Sequence, residues 1–326
     1  MNRNSVAFIY MVVGLLLMMS HAIATIQPKA DWYLHVNLEA LENSPLMEII
    51  DKKKERKEAE IFIKKIVGEN FNKQVKTITL YGNHEATKKY TAILNGEFTK
   101  KSIDKMISGL NSLSASKKIK FHSKNIYYFK VKDIHIDKKN WQINTSKGKA
   151  KDTQSDVAKA NIELDEEVEV YLTDIDNSKI VVSNDKKELQ KWILGKYNLK
   201  SIQNNGIFHV VVNLQQAMAH GGLKLGENHI NVGFDSSLMK KISQFAFSVG
   251  LNKKNAHIEV SLQTIDNEVA QQLKNVVAGL IALKSLASEE DQELQALIRN
   301  LNVDSKDNNI IIKSTISTDE LKQLAE

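Results

Sequence analysis

The strongest constraint on the fold is a strand-to-helix signal that occurs twice. Trp32-Tyr33-Leu34-His35-Val36-Asn37-Leu38 and Phe208-His209-Val210-Val211-Val212-Asn213-Leu214 are apolar runs of strand length that both end in Val-Asn-Leu. Their β-branched and aromatic residues favour an extended chain, and polar turn chemistry with a helix follows each. Downstream of the first run, residues 75–82 and 90–98 alternate as a hairpin across the polar turn 83–89, and a helix is expected from Lys101 to about Leu110. Downstream of the second, residues 245–251 and 257–264 repeat the hairpin over 252–256, and a helix opens at Asp266. The Val-Asn-Leu signals lie 176 residues apart, and Gly82 and Gly250 lie 168 apart. Each half therefore reads strand–helix–strand–strand–helix–strand, the split βαβ order. The expected fold class is α+β, two related units with antiparallel sheets covered by helices.

The first half carries more. Residues 118–136 read as one strand leading into a polar stretch over 137–167, rich in Lys, Asn, Ser and Asp, which is expected as a mobile loop. A hairpin follows, over 168–173 and 180–183, and Asp185 caps a helix to about Leu194. The end of the chain echoes it with a strand over 310–316 and a short helix from Thr318. A linker near 198–205 separates the halves. The expected domains are a leader at 1–24, a first domain at 25–200 and a related second domain at 201–326.

Two helices stand out. Residues 46–67 have apolar ends around the wholly charged segment 52–58, whose centre must face solvent. From Val269 to Ala287 apolar residues are dense: Val269, Leu273, Val276, Val277, Leu280, Ile281, Leu283 and Leu286. Ser288 followed by Asp291 marks the start of another helix through Leu294, Leu297 and Ile298 to Leu301. As a hairpin on the sheet this explains most of the apolar surface. A stripe wider than its own sheet would leave a face for another envelope protein or for self-association through helices 266–301.

The first 24 residues have the form of a secretory signal peptide. Arg3 gives a short positive start, residues 6–19 carry no charge, and Ala22 and Ala24 set an A-x-A site for cleavage after Ala24. The apolar run is shorter than the roughly 20 residues of a spanning helix. The expected compartment is the bacterial periplasm, with no membrane span after cleavage. There are no cysteines, which removes lipidation after the leader, disulfides, thiolate metal sites and cysteine nucleophiles. The net charge of +6 comes almost wholly from lysine; Arg3, Arg56 and Arg299 are the only arginines. Few arginines and few aromatics argue against a nucleic-acid partner.

No catalytic motif emerges. Gly-x-Ser-x-Gly is absent. Ser-x-x-Lys occurs at Ser102/Lys105, Ser114/Lys117, Ser146/Lys149, Ser183/Lys186 and Ser237/Lys240, as expected by chance in a lysine-rich chain, and neither Lys-Thr-Gly nor Ser-Asp-Asn follows. Asp174-x-Asp176-x-Ser178 imitates the start of a calcium loop, but Lys179 stands where its sharp turn needs glycine, so it reads as a hairpin turn. Asp133, His135 and Asp137 alternate along a strand and would share one face, as a divalent-cation site requires. The glycine-rich segment 219–229 brings His220, Glu227 and His229 into one loop and is the most site-like stretch, although its spacing matches no phosphate-binding or His-x-Glu-x-x-His motif. His35 and His209 read as pleat-facing, hydrogen-bonded structural histidines. No cofactor is called for. The sequence favours a non-catalytic binding or interaction module of the envelope over a periplasmic hydrolase or metal-dependent enzyme built from scattered residues.

Overall fold

The computed structural model describes residues 30–45, 47, 71–83, 89–131, 134–137, 142–144, 160–162, 168–197, 206–216, 240–252, 254–287, 298 and 300–323. The leader, nearly all of the 46–67 helix, the 198–205 linker and the 219–229 loop lie outside them. Along the chain run β1 (Trp32–Asn37), α1 (Leu38–Glu42), α2 (Phe71–Gln74), β2 (Val75–Asn83), β3 (Lys89–Gly96), α3 (Lys100–Leu113), β4 (Lys117–Phe121), β5 (Lys124–Val131), β6 (Ile134–Asp137), β7 (Gln142–Asn144) and β8 (Ala160–Ile162). Then come β9 (Val168–Asp176), β10 (Lys179–Ser183), α4 (Lys186–Ile193), β11 (Phe208–Asn213), β12 (Ile242–Leu251), β13 (Asn255–Thr264), α5 (Asn267–Ala287), β14 (Leu301–Lys306), β15 (Asn309–Ser317) and α6 (Thr318–Gln323). The fold is mixed α+β, a large antiparallel sheet with a few helices.

The chain forms two compact units. The first holds Met1–Lys52, Thr79–Lys89 and Asn198–Glu326, the second Lys53–Ile78 and Tyr90–Tyr197. The chain crosses between them at residues 52/53, 78/79, 89/90 and 197/198.

In the first unit the strand order is β14-β15-β13-β12-β11-β1-β2. This differs from the split βαβ order, in which the third strand would insert between the first two. Here β12 pairs antiparallel with both β11 and β13, as consecutive strands of a meander do. The difference lies in the direct β11–β12 pairing, since the β12–β13 hairpin, whose tight turn has Asn252 Oδ1 accepting hydrogen bonds from the N–H groups of Lys254 and Asn255 at 2.9 and 2.8 Å, is common to both orders. The two Val-Asn-Leu segments are neighbours. β1 pairs antiparallel with β11, and Leu34 stands opposite Val210, 176 residues on. Both asparagines end a strand and begin a helical turn: Asn37 Oδ1 accepts from Ala40 N at 2.9 Å and Asn213 Oδ1 from Gln216 N at 3.1 Å.

The core of this unit is built where α5 lies on the sheet. Asp266 Oδ1 caps the helix by accepting from Val269 N at 2.8 Å. Ala270 and Leu273 then pack with Ile242 and Ile310, flanked by Leu214, Leu262, Val277, Val303 and Ile312. Each fully buried leucine or isoleucine contributes about 1.5–3 kcal/mol. β14 replaces what reads as the end of a helix; Leu301 and Val303 alternate with polar residues and pair with Ser314 and Ile312 of β15.

In the second unit the order is β2-β3-β10-β9-β5-β4, beside a three-stranded sheet β7-β6-β8. The single strand expected over 118–136 is three strands. β4 and β5 form a hairpin turning at His122 and Ser123, with His122 in the left-handed region at φ 51°, and β6 begins beyond it. Within the stretch expected as a loop, β7 and β8 both pair with β6; the rest of it lies outside the described residues. The calcium-like Asp174–Ser178 segment is the β9–β10 turn, where Asp176 Oδ1 accepts from the N–H and hydroxyl of Ser178 at 2.7 and 2.6 Å. Asp185 caps α4 as expected, accepting from Lys187 N at 2.9 Å. Leu189 and Trp192 are buried, and α4 packs on β9 and β10.

Gly82 of β2 and Gly250 of β12 differ physically. A Cβ on Gly82 would meet the Lys89 carbonyl oxygen at 2.6 Å and the Trp32 ring at 2.9 Å, whereas one on Gly250 meets nothing within 4 Å. Gly82→Ala is expected to destabilise the protein by about 1–3 kcal/mol through overpacking. Gly250→Ala is expected to be neutral or stabilising by up to about 1 kcal/mol. Urea denaturation of the two variants checks the contrast.

Candidate functional site

Strand alternation gives the first unit's sheet two chemically opposite faces. Trp32, Leu34 and Val36 of β1 share a face with Phe208, Val210 and Val212 of β11. That face continues through Phe245, Phe247 and Val249 of β12 and Ile258, Val260 and Leu262 of β13 to Ile310 and Ile312 of β15. It is the apolar face, on which α5 packs.

The other face carries a polar row one residue deep. In register from β1 to β15 stand His35, His209, Ser248, Glu259 and Lys313. His35 is 6% exposed, and its Nδ1 is hydrogen-bonded to Thr79 Oγ1 of β2 at 2.8 Å. The ring of Tyr33 meets that of His209 edge-on, with centroids 5.3 Å apart. At the far end of the row Lys313 Nζ lies 3.2 Å from Glu259 Oε2. One position along, His257 is exposed; its Nε2 lies 3.0 Å from Asn252 Nδ2 and its Nδ1 3.1 Å from Thr315 Oγ1.

Burial sets the electrostatics. It lowers the proton affinity of His35. It brings His209 down to about 4, helped by the neighbouring His35 and opposed by Glu259. Burial also raises the Tyr33 hydroxyl well above its ordinary value. At neutral pH the row therefore holds two uncharged imidazoles and a protonated phenol beside one Glu–Lys ion pair. This is not an acyl-transfer triad: serine, not histidine, stands between the other two in the row, and Glu259 is engaged by Lys313 rather than orienting an imidazole.

His220, Glu227, His229 and Asp133 lie outside the described residues. His135 and Asp137 take alternate places on β6, with His135 opposite Asn144 and Asn161. Among the described residues no group of three or more His, Cys, Asp or Glu is placed to hold a metal ion. His35 and His209 occupy the pleat-facing positions their sequence suggests. Their pairing, Thr79 and the Glu259–Lys313 end of the row carry no local signal, because register between strands far apart in sequence creates them.

The second unit has an open depression of about 800 Å³, lined among others by Lys73, Lys76, Glu97, Thr99 and Asp176. Its polar groups mostly satisfy one another. Lys76 pairs with Glu97 at 2.6 Å, Asp176 holds Ser178, and the Thr99 hydroxyl accepts from Ser102 N at 3.2 Å in a capping box. Gln74 Oε1 is buried there without a hydrogen-bond partner.

No family model and no curated protein sequence matches the chain. Among solved structures it is similar to TP0453. Crystal form III gives a TM-score of 0.44 at 11% identity, covering 94% of this chain and 95% of that one. Crystal form I gives 0.46 at 12% identity and 94% of each chain. Crystal form IV gives 0.46 at 12% identity, covering 90% and 92%. No helix among the described residues is long and apolar enough to cross a membrane.

Removing the Thr79 hydroxyl would leave a buried imidazole nitrogen without its partner. Thr79→Val is expected to cost about 1–3 kcal/mol in a urea titration, and Thr79→Ser to recover most of it.

Proposed function

We propose that this protein is an exported, non-catalytic binding or interaction module of the bacterial envelope, built by duplication of one α+β unit. The observation that carries the reading is the apolar arc of α5, which is wider than the core beneath it. Val269, Ala270 and Leu273 are buried, but Val276 and Leu283, three and ten residues beyond Leu273, are 37% and 64% exposed. At 100° per residue those two lie side by side on the flank of the buried stripe, in line with half-buried Leu280. Adjoining apolar exposure of this kind marks a surface that something covers.

Duplication is supported by the antiparallel pairing of the two Val-Asn-Leu segments about Leu34 and Val210, which relates each strand to the other by a local two-fold. The neighbour orders agree as well: β1-β2-β3-β10-β9 in one half corresponds to β11-β12-β13-β15-β14 in the other. Helices end both series, α4 after β10 and α6 after β15. Export rests on the charged start, apolar run and Ala22-x-Ala24 site of residues 1–24. The absence of cysteine is compatible with a periplasmic protein held by packing alone.

The test is a Val276→Glu/Leu283→Glu double variant, compared with the wild type by light scattering and by crosslinking from position 283 in periplasmic extract. Both changes are at exposed positions, so folding stability is expected to stay within about 0.5 kcal/mol. The wild type is expected to self-associate or to give a discrete adduct that the variant loses. A wild type that stays monomeric and gives no adduct would reject the interaction reading.

A further inference from the structure

We propose that the exposed face of α5 is covered by the α5 of a second copy of this chain, the two helices packing antiparallel about a two-fold axis between Gly279 and Leu280. The proposal rests on the reading of that helix as an interaction surface and names what covers it. Gln272, Val276, Gly279 and Leu283 are all exposed and follow one another at intervals of four, three and four residues. That spacing lays one nearly straight seam along the helix, as in a coiled coil. Among the described residues of the first unit, the exposed large apolar side chains are Ile265, Val276 and Leu283, and the last two stand on this seam.

Gly279 is a second, independent observation. Glycine in the interior of a helix weakens it relative to alanine, and a Cβ at this place would meet nothing within 4 Å. Packing inside the unit therefore does not require the missing side chain. A bare stretch of backbone in the middle of an apolar seam lets another helix approach to the short end of the roughly 8–10 Å that separates packed axes.

The order of residues makes the other helix the same one. Val276 and Leu283 lie equally far from the midpoint between Gly279 and Leu280. Turned end for end about that point, the helix sets each Val276 against Leu283 of the other copy and brings half-buried Leu280 beside the gap at Gly279. The seam is thus complementary to itself, as a two-fold interface must be. Charge agrees. The chain carries a net +6, so copies repel at long range, but residues 275–283 hold no charge. At their near end Lys274 faces Asp304 at 3.5 Å. The uncharged stretch is only about 13 Å long, and its contact falls below the roughly 1,200 Å² of stable complexes, so the dimer is expected to be weak and to form at high protein concentration.

The chain has no cysteine, so thiols placed on the seam are the only ones present. Val276→Cys and Leu283→Cys are made separately, then mixed at high concentration under a mild oxidant. The mixture is expected to give a disulfide-linked dimer in several-fold higher yield than either variant alone, because only the 276–283 pair comes within bonding distance. Gly279→Gln, at an exposed position with open space around it, is expected to keep the wild-type circular dichroism and to weaken association in sedimentation equilibrium by about tenfold or more. Single variants that crosslink as well as the mixture, or a Gly279→Gln that associates like the wild type, would overturn the proposal. Should a cysteine variant not fold, the comparison of wild type with Gly279→Gln decides alone. A wild type that stays monomeric at every concentration yet gives an adduct from position 283 in periplasmic extract rejects the second copy and leaves the interaction reading standing. A monomer with no adduct rejects both.

Discussion

The pairing of β1 with β11 is the interaction on which the first unit depends. It joins residues 32–36 to residues 208–212, so its closure entropy is large, although that cost grows only slowly with loop length. Apolar alternation offsets it. Trp32, Leu34 and Val36 against Val212, Val210 and Phe208 extend one dry face across two strands, and Leu34 and Val210 are almost fully buried. The register is held from both sides. Slipping by one residue would turn His35, Tyr33 and His209 into that apolar face and Leu34 and Val210 into the polar one. A sheet with such unlike faces tolerates one alignment only, and this explains how an N-terminal strand is held beside the C-terminal chain that makes up most of the unit's sheet.

The two faces have different energetic roles. The apolar face supplies stability through buried area, concentrated where Leu273, Ile242 and Ile310 meet. The polar face supplies little net stability. Glu259 and Lys313 are both substantially exposed, and a pair of that kind contributes about 0–1 kcal/mol. The His35–Thr79 pair is different, since both members are buried and either one alone would be an unmet polar group. Polarity at that place therefore restricts how the strands can align more than it strengthens them.

What was legible in the sequence was local. Asn37 and Asn213 announce strand-to-helix junctions because an asparagine side chain caps the N–H three residues on, and the structure shows both bonds. Asp185 and Asp266 are legible for the same reason. The β4–β5 hairpin was not, because its turn is His122-Ser123 and a histidine takes the left-handed conformation without any glycine or Asn-Gly to signal it. β14 was hidden by Leu294, Leu297, Ile298 and Leu301, whose three- and four-residue spacings read as a helix running into it. The polar row was illegible for a deeper reason. His35, Thr79, His209 and Glu259 are ordinary strand residues taken singly, and only the register across five strands makes them neighbours.

The helix α5 shows the same separation between what folds a segment and what is left over. It spans 21 residues, about 32 Å. Yet the side chains it buries among those described, Val269, Ala270 and Leu273, all fall in its first seven residues, with Val277 partly packed behind them. Helices shorter than about 12–15 residues are marginal in water unless packing supports them, so the turns beyond Val277 depend on their cooperative link to an anchored first half and on a composition rich in alanine and leucine. Such a segment needs good helix formers, but nothing in its own stability requires leucine at position 283; alanine or lysine would propagate the helix as well. A large apolar side chain 64% exposed at that place costs solubility without helping the fold. Its presence on the flank of the buried stripe, beside Val276, is explained more economically by a surface made to be covered than by the requirements of the helix itself.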